Sequence, residues 1–136
     1  MFLIGQYDSP FVRRVAIALR LYGLAFEHLP WSTFGDADKI APYNPLRRVP
    51  TLVLDDGEAL IESTIILDYL DELVGPEKAM LPRSGVERRK HLRICALAKI
   101  GRAVQQECRD RGWNLVCRLL LEKNFFNDTA TTEIYT

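Results

Sequence analysis

The run Asn44-Pro45-Leu46-Arg47-Arg48-Val49-Pro50-Thr51-Leu52-Val53-Leu54 constrains this chain more than any other stretch. Its second proline opens a β-rich segment over residues 51–54. Asp55-Asp56-Gly57 then makes a strong hairpin turn, because the glycine accepts a positive φ. Ala59-Leu60-Ile61 reads as the returning strand. Ser63 stands where a helix N-cap belongs, ahead of the apolar series Ile66, Leu67, Leu70 and Leu73. A proline at the mouth of a buried strand donates no amide and is a candidate for a cis peptide bond. Such a bond would turn the chain and leave the Val49 amide and carbonyl open to an extended, peptide-like ligand, in the manner of strand addition. The start of the Ser63 helix offers amides and the positive end of a dipole, a seat for a carboxylate. Together these features read as a clamp for a short peptide that carries an acid.

Upstream, Phe2-Leu3-Ile4-Gly5 is a short apolar run and reads as a buried strand. Gln6-Tyr7-Asp8-Ser9-Pro10 connects it to a helix, with Pro10 suited to the first helical position. Val12, Val15, Ala16 and Leu19 recur at helical spacing, while Arg13, Arg14 and Arg20 are expected to face out. Gly23 ends that helix and residues 26–29 read as the second strand, completing a βαβ unit with parallel pairing and a right-handed crossover. Residues 36–41 form a short helix before the Asn44-Pro45 break, and Trp31 and Phe34 read as packing residues. Gly75-Pro76 closes the Ser63 helix, so the order is βαβαββα. A further helix starts near Val86, with Leu92, Cys95 and Ala96 as an apolar stripe behind the solvated Arg88-Arg89-Lys90.

Three motifs stand in order in this frame: Ser9-Pro10-Phe11-Val12-Arg13 after the first strand, then Val49-Pro50, then Glu62-Ser63. In this order and context they resemble the N-terminal domain of the glutathione transferases, an α/β, thioredoxin-like fold, over about residues 2–73. The resemblance implies a glutathione-binding domain at residues 1–75, a linker at 76–85 and the first turns of an all-α domain at 86–98. That second domain supplies most of the family's hydrophobic substrate pocket, so the chain alone is expected to be inactive.

The resemblance also implies roles. A free thiol has a pKa near ~8.5 and is mostly protonated at neutral pH, whereas the thiolate is the nucleophile. Ser9, at the start of the first helix, matches the serine that donates a hydrogen bond to the bound sulfur in serine-type members. Tyr7 is the rival hydroxyl, and the plainer reading of Ser9 is a helix cap only. Val49 would pair its backbone with the cysteinyl part of glutathione, with Pro50 cis. Ser63 would hold the γ-glutamyl carboxylate and Glu62 its amino group; the plainer reading is a cap preceded by a surface acid. Arg48 would reach the glycyl carboxylate. Lys39 matches the family poorly and reads as a solvated charge. His28 and His91 have no partner pattern for catalysis and read as surface or interface residues.

Composition enters as exclusions. The formal net charge is zero, so charge balance gives no support for a nucleic-acid or anionic-membrane surface. No apolar run approaches the ~20 residues of a membrane helix, and the N-terminus lacks a secretory pattern. Cys95, Cys108 and Cys117 form no CxxC pair and no metal spacing, which disfavours thioredoxin-type disulfide exchange and a metal centre. A reducing, cytoplasmic setting is the default. The expected function is a dimeric transferase of the detoxifying kind, with glutathione as co-substrate and a small electrophile as its partner. A non-enzymatic interaction protein on the same fold, and a glutathione-dependent isomerase or dehalogenase, are the alternatives.

The character changes from Lys99 onward. Residues 100–111, 115–122 and 127–136 back-translate, in order, into stretches of short-read sequencing-adapter DNA. The tail over residues 99–136 is therefore expected to be non-native, and resequencing the genomic locus is the direct check.

Overall fold

The computed structural model describes residues 1–104. The adapter-like blocks, apart from the start of the first, lie outside the described residues. The element order is β1 (Phe2–Ile4), α1 (Pro10–Leu21), β2 (Glu27–Leu29), α2 (Ala37–Ile40), β3 (Thr51–Val53), β4 (Ala59–Ile61), α3 (Ser63–Val74) and α4 (Gly85–Val104). This is the expected βαβαββα order followed by a helix. The chain divides into a unit spanning Met1–Lys78 and a second that begins at Ala79 and contains α4. No helix of the described residues is long and apolar enough to cross a membrane.

The first unit is built on a four-stranded sheet in the order β2-β1-β3-β4. β1 runs parallel to β2 and antiparallel to β3, and β3 runs antiparallel to β4. The β3–β4 turn closes through the Leu54 amide on the Glu58 carbonyl at 2.8 Å and the Gly57 amide on the Leu54 carbonyl at 3.1 Å. Gly57 has φ +92°, a value that a residue with a Cβ rarely adopts.

Successive strand residues face opposite sides. Ile4 and Val53 pack with Ile40 of α2, and Phe2, Leu29, Trp31, Tyr43 and Val49 surround that cluster. Leu3 and Leu52, paired across β1 and β3, point to the other side, where α1 and α3 lie against each other. Val12, Val15 and Leu19 of α1 and Ile66 and Leu70 of α3 are fully buried. Each such side chain stabilises the fold by about 1.5–3 kcal/mol. The Tyr22 hydroxyl donates to the Asp71 carboxylate and so ties the end of α1 to α3.

Several expectations change. Arg13 and Arg14 are half-buried, not outward-facing: long arginine stems lie along apolar surface, and the Nε atom of each is enclosed. Phe34 is 99% exposed and packs on nothing; Trp31 fills the site beside Tyr43, with ring centroids 6.3 Å apart. Another concerns Ser63, which is the first residue of α3; its cap is Glu62. In the second unit, Leu92 and Cys95 are half-buried while Ala96 is exposed.

Candidate functional site

The strand register gathers the motif residues. Ile4 at the end of β1 pairs with Thr51 at the start of β3, and Thr51 pairs with Ile61 at the end of β4. The residues that follow β1, precede β3 and follow β4 therefore emerge at one edge of the sheet. Ser9, Val49-Pro50 and Glu62-Ser63 occupy those three connections. Because α1 and α3 each begin there, both present the positive end of a helix dipole to that edge.

Ser9 is the N-cap of α1, in extended conformation (φ −69°, ψ 121°), and its Oγ accepts from the Val12 amide at 3.5 Å. Pro10 follows at the first helical position, where its missing amide costs no hydrogen bond. The hydroxyl accepts in this contact, which is also long, so its own proton is available to another acceptor. Tyr7 lies on the connection before it, with its ring stacked on His28 of β2: the centroids are 3.9 Å apart and the planes 6° apart. His28 is thus a half-buried contact residue of this connection.

The segment before β3 is organised by Asn44, a buried residue that motif reading took only as a break. Its Nδ2 donates to the Arg48 carbonyl at 3.0 Å and to Thr51 Oγ1 at 3.1 Å. Its Oδ1 accepts from the Leu46 amide at 2.9 Å, and Thr51 Oγ1 donates to the Arg48 carbonyl at 3.1 Å. An Asn side chain bonding two residues onward is an Asx turn, and the Asn-Pro pair was its available sequence signal. Val49 is half-buried, Pro50 is buried, and the peptide bond between them is cis. Arg48 has its carbonyl locked in this network and its side chain exposed. Arg47 has φ +53° and pairs with Asp38 at 3.3 Å. Lys39 is an exposed charge bonded to Asp36 at 2.6 Å, as its poor match to the motifs implied.

Glu62 has φ +73° and ψ 123°, and its carboxylate accepts from the Thr64 amide at 3.1 Å. That left-handed backbone carries strain of roughly 1–3 kcal/mol, a cost usually retained at functional sites. It turns the chain so that Ser63 begins the helix with a fully buried side chain, its Oγ donating to Glu62 Oε1 at 3.4 Å. Sequence reasoning also passed over Gly5, which follows β1 with φ +133° directly against Val12 and Val49.

Residues 3–78 match the family model of the glutathione S-transferase N-terminal domain. A GST-like protein of Escherichia coli strain K12, YibF, is 41% identical over 98 residues, covering 72% of this chain and 48% of that protein. A maleylacetoacetate isomerase of Pseudomonas aeruginosa is 36% identical over 102 residues, covering 71% of this chain and 48% of its own length. Among solved structures, a glutathione transferase family member from Pseudomonas fluorescens Pf-5 with bound glutathione superposes with a TM-score of 0.62. It is 29% identical, with 90% of this chain and 65% of that one covered. The chain spans about half the length of the curated relatives it matches. With a family model covering most of the first unit and three motifs on one sheet edge, the chain belongs to the glutathione S-transferase family.

Proposed function

We propose that this chain carries the glutathione-binding part of a glutathione transferase that ionises the thiol of glutathione for attack on an electrophilic carbon. The observation that carries the reading is the convergence of two helix N-termini and the Val49 backbone on one sheet edge. From β1 across β3 to β4 is two interstrand steps, roughly 10 Å. Three residues in extended form reach roughly 10 Å as well. A tripeptide laid along this edge has its sulfur near the start of α1 and an acidic end at the start of α3.

In this reading Val49 pairs main chain to main chain with the cysteinyl residue, beside Pro50. Ser63 and the first amides of α3 hold the γ-glutamyl carboxylate, and Glu62 takes the amino group. Arg48 faces the glycyl carboxylate. Ser9 donates its hydroxyl proton in a hydrogen bond to the sulfur, and the α1 dipole adds to the preference for the thiolate. The thiol proton leaves to solvent. The sulfur lone pair forms the new S–C bond, and the electrophile takes the displaced electron pair onto its leaving group or conjugated oxygen.

The similarity to a maleylacetoacetate isomerase supports a second reading, isomerisation of an unsaturated acid with glutathione adding and leaving in turn. The full-length protein is read as a cytoplasmic homodimer, to be checked by cell fractionation and sedimentation. Retention on immobilised glutathione with release by free glutathione tests the binding role. Conjugation of an aromatic halide against isomerisation of a cis-enone acid then separates the two chemistries. A protein that is not retained and does neither is an interaction module on the same fold.

A further inference from the structure

Gly5 follows β1 with both backbone groups committed to β2. Its amide donates to the Leu29 carbonyl at 2.9 Å, and its carbonyl oxygen lies 2.7 Å from His28 Nε2. A carbonyl only accepts, so Nε2 carries the proton in this contact. The same imidazole lies flat on the Tyr7 ring, two residues further along. The Ser9 amide then closes a turn onto the Gln6 carbonyl at 3.1 Å. One β2 side chain thus grips the β1–α1 connection at residues 5 and 7, directly before the hydroxyl at residue 9.

We propose that His28 is a positioning residue: through Gly5 it sets the backbone that aims the Ser9 hydroxyl, with Tyr7 as its stacking partner. The ring contact of His28 with Tyr7 gives the grip a second point of hold on this connection. The chemical consequence rests on the proposed thiol-activating role; the mechanical one does not.

Two substitutions divide the grip. His28→Gln keeps a donor nitrogen at nearly the reach of Nε2 and removes the ring. His28→Phe keeps a ring for Tyr7 and removes the donor. The first measurement is amide hydrogen exchange at Gly5 and Ser9 in the ligand-free, full-length protein. His28→Phe and His28→Ala are expected to exchange roughly fivefold to tenfold faster there, with His28→Gln close to wild type. The second is the absorbance titration of the thiol in the glutathione complex. Phe and Ala variants are expected to shift it upward by about half of the shift seen for Ser9→Ala, with glutathione affinity within about twofold of wild type.

Wild-type exchange rates at Gly5 and Ser9 in both the Phe and Ala variants overturn the proposal, as does faster exchange with an unmoved titration. Should His28→Ala fail to fold, the Gln and Phe pair decides alone. If the wild-type protein binds no glutathione, the transferase reading falls, and the exchange rates still decide whether His28 grips the connection.

Discussion

Gly5 and Val49 meet so closely that a Cβ built on Gly5 would lie 2.9 Å from Val49 Cβ, and 2.5 Å from Val12 Cγ2. The absence of a side chain at Gly5 lets the first turn of α1 and the loop before β3 close over the end of β1. Gly5 also has φ +133°, outside the range of other residues. Gly5→Ala is therefore expected to cost about 3 kcal/mol or more, overpacking and backbone strain together. Gly23→Ala is the control, since open space surrounds Gly23 and only its φ of +68° opposes a side chain. Its cost is expected near ~1 kcal/mol. Urea unfolding of both variants measures the difference.

Removing the Ser9 hydroxyl should act on the thiol and spare the clamp. Ser9→Ala is expected to raise the pKa of bound glutathione by roughly one to two units, the equivalent of a hydrogen bond to a charged partner. Turnover at neutral pH should fall and partly return in alkali, where the thiol ionises unaided. Thiolate absorbance against pH is the measurement. Superimposable curves for wild type and Ser9→Ala, with Tyr7→Phe displaced instead, would transfer the role to Tyr7.

Ser63 tests the opposite end of the clamp. Its side chain is fully buried and donates to Glu62 Oε1, so Ser63→Ala changes little surface and removes the donor proposed to turn to the γ-glutamyl carboxylate. The expected rise in the glutathione dissociation constant is roughly tenfold to hundredfold. An unchanged isotherm by calorimetry would leave the carboxylate to the helix amides alone.

Arg47 holds a left-handed backbone at φ +53° that glycine adopts freely. Arg47→Gly relieves that cost but loses the solvent-exposed pair with Asp38, itself worth little. A net gain of up to about 1 kcal/mol is expected, whereas β-branched Arg47→Val should destabilise. Thermal midpoints of the two variants should move in opposite directions.

Hydrogen bonds from Lys39 and then from the Ser32 amide hold the Asp36 carboxyl below its ordinary value of 3.8. A carboxyl whose folded pKa is depressed contributes stability fully above its unfolded pKa and loses it as pH falls through the folded value. Wild type should therefore lose thermal stability more steeply than Asp36→Asn on acidification below about pH 4. Parallel melting curves across that range would mean that these bonds persist in the unfolded chain.

Periodicity carried most of the architecture. Val12, Val15, Ala16 and Leu19 at helical spacing, and the short runs on either side of Asp55-Asp56-Gly57, located α1, β3 and β4 to within a residue. The motif residues came to one edge because strand direction follows from connection length: a helical crossover makes β1 and β2 parallel, and a tight turn makes β3 and β4 antiparallel. Phe34 was misjudged because residues 31–36 carry no period from which to infer a buried face. Ser63 was placed one step early on its helix because nothing in a glutamate announces a positive φ at Glu62. Gly5 was invisible, and Asn44 legible only as a break, for a third reason: their roles lie in groups brought together only by folding, Arg48 and Thr51 for Asn44, Val12 and Val49 for Gly5.

The Asn44 network has a bearing on how the loop before β3 moves. Asn44 Nδ2 and Thr51 Oγ1 share the Arg48 carbonyl as acceptor, and Asn44 also serves the Leu46 amide. These bonds cannot be surrendered singly, since losing one displaces a group that two others depend on. The loop should accordingly open as one small cooperative unit, with coupled energies in a double-mutant cycle of Asn44 and Thr51. Such all-or-none opening would keep Val49 in register for most of its lifetime and let the whole rim yield at once when a ligand enters or leaves.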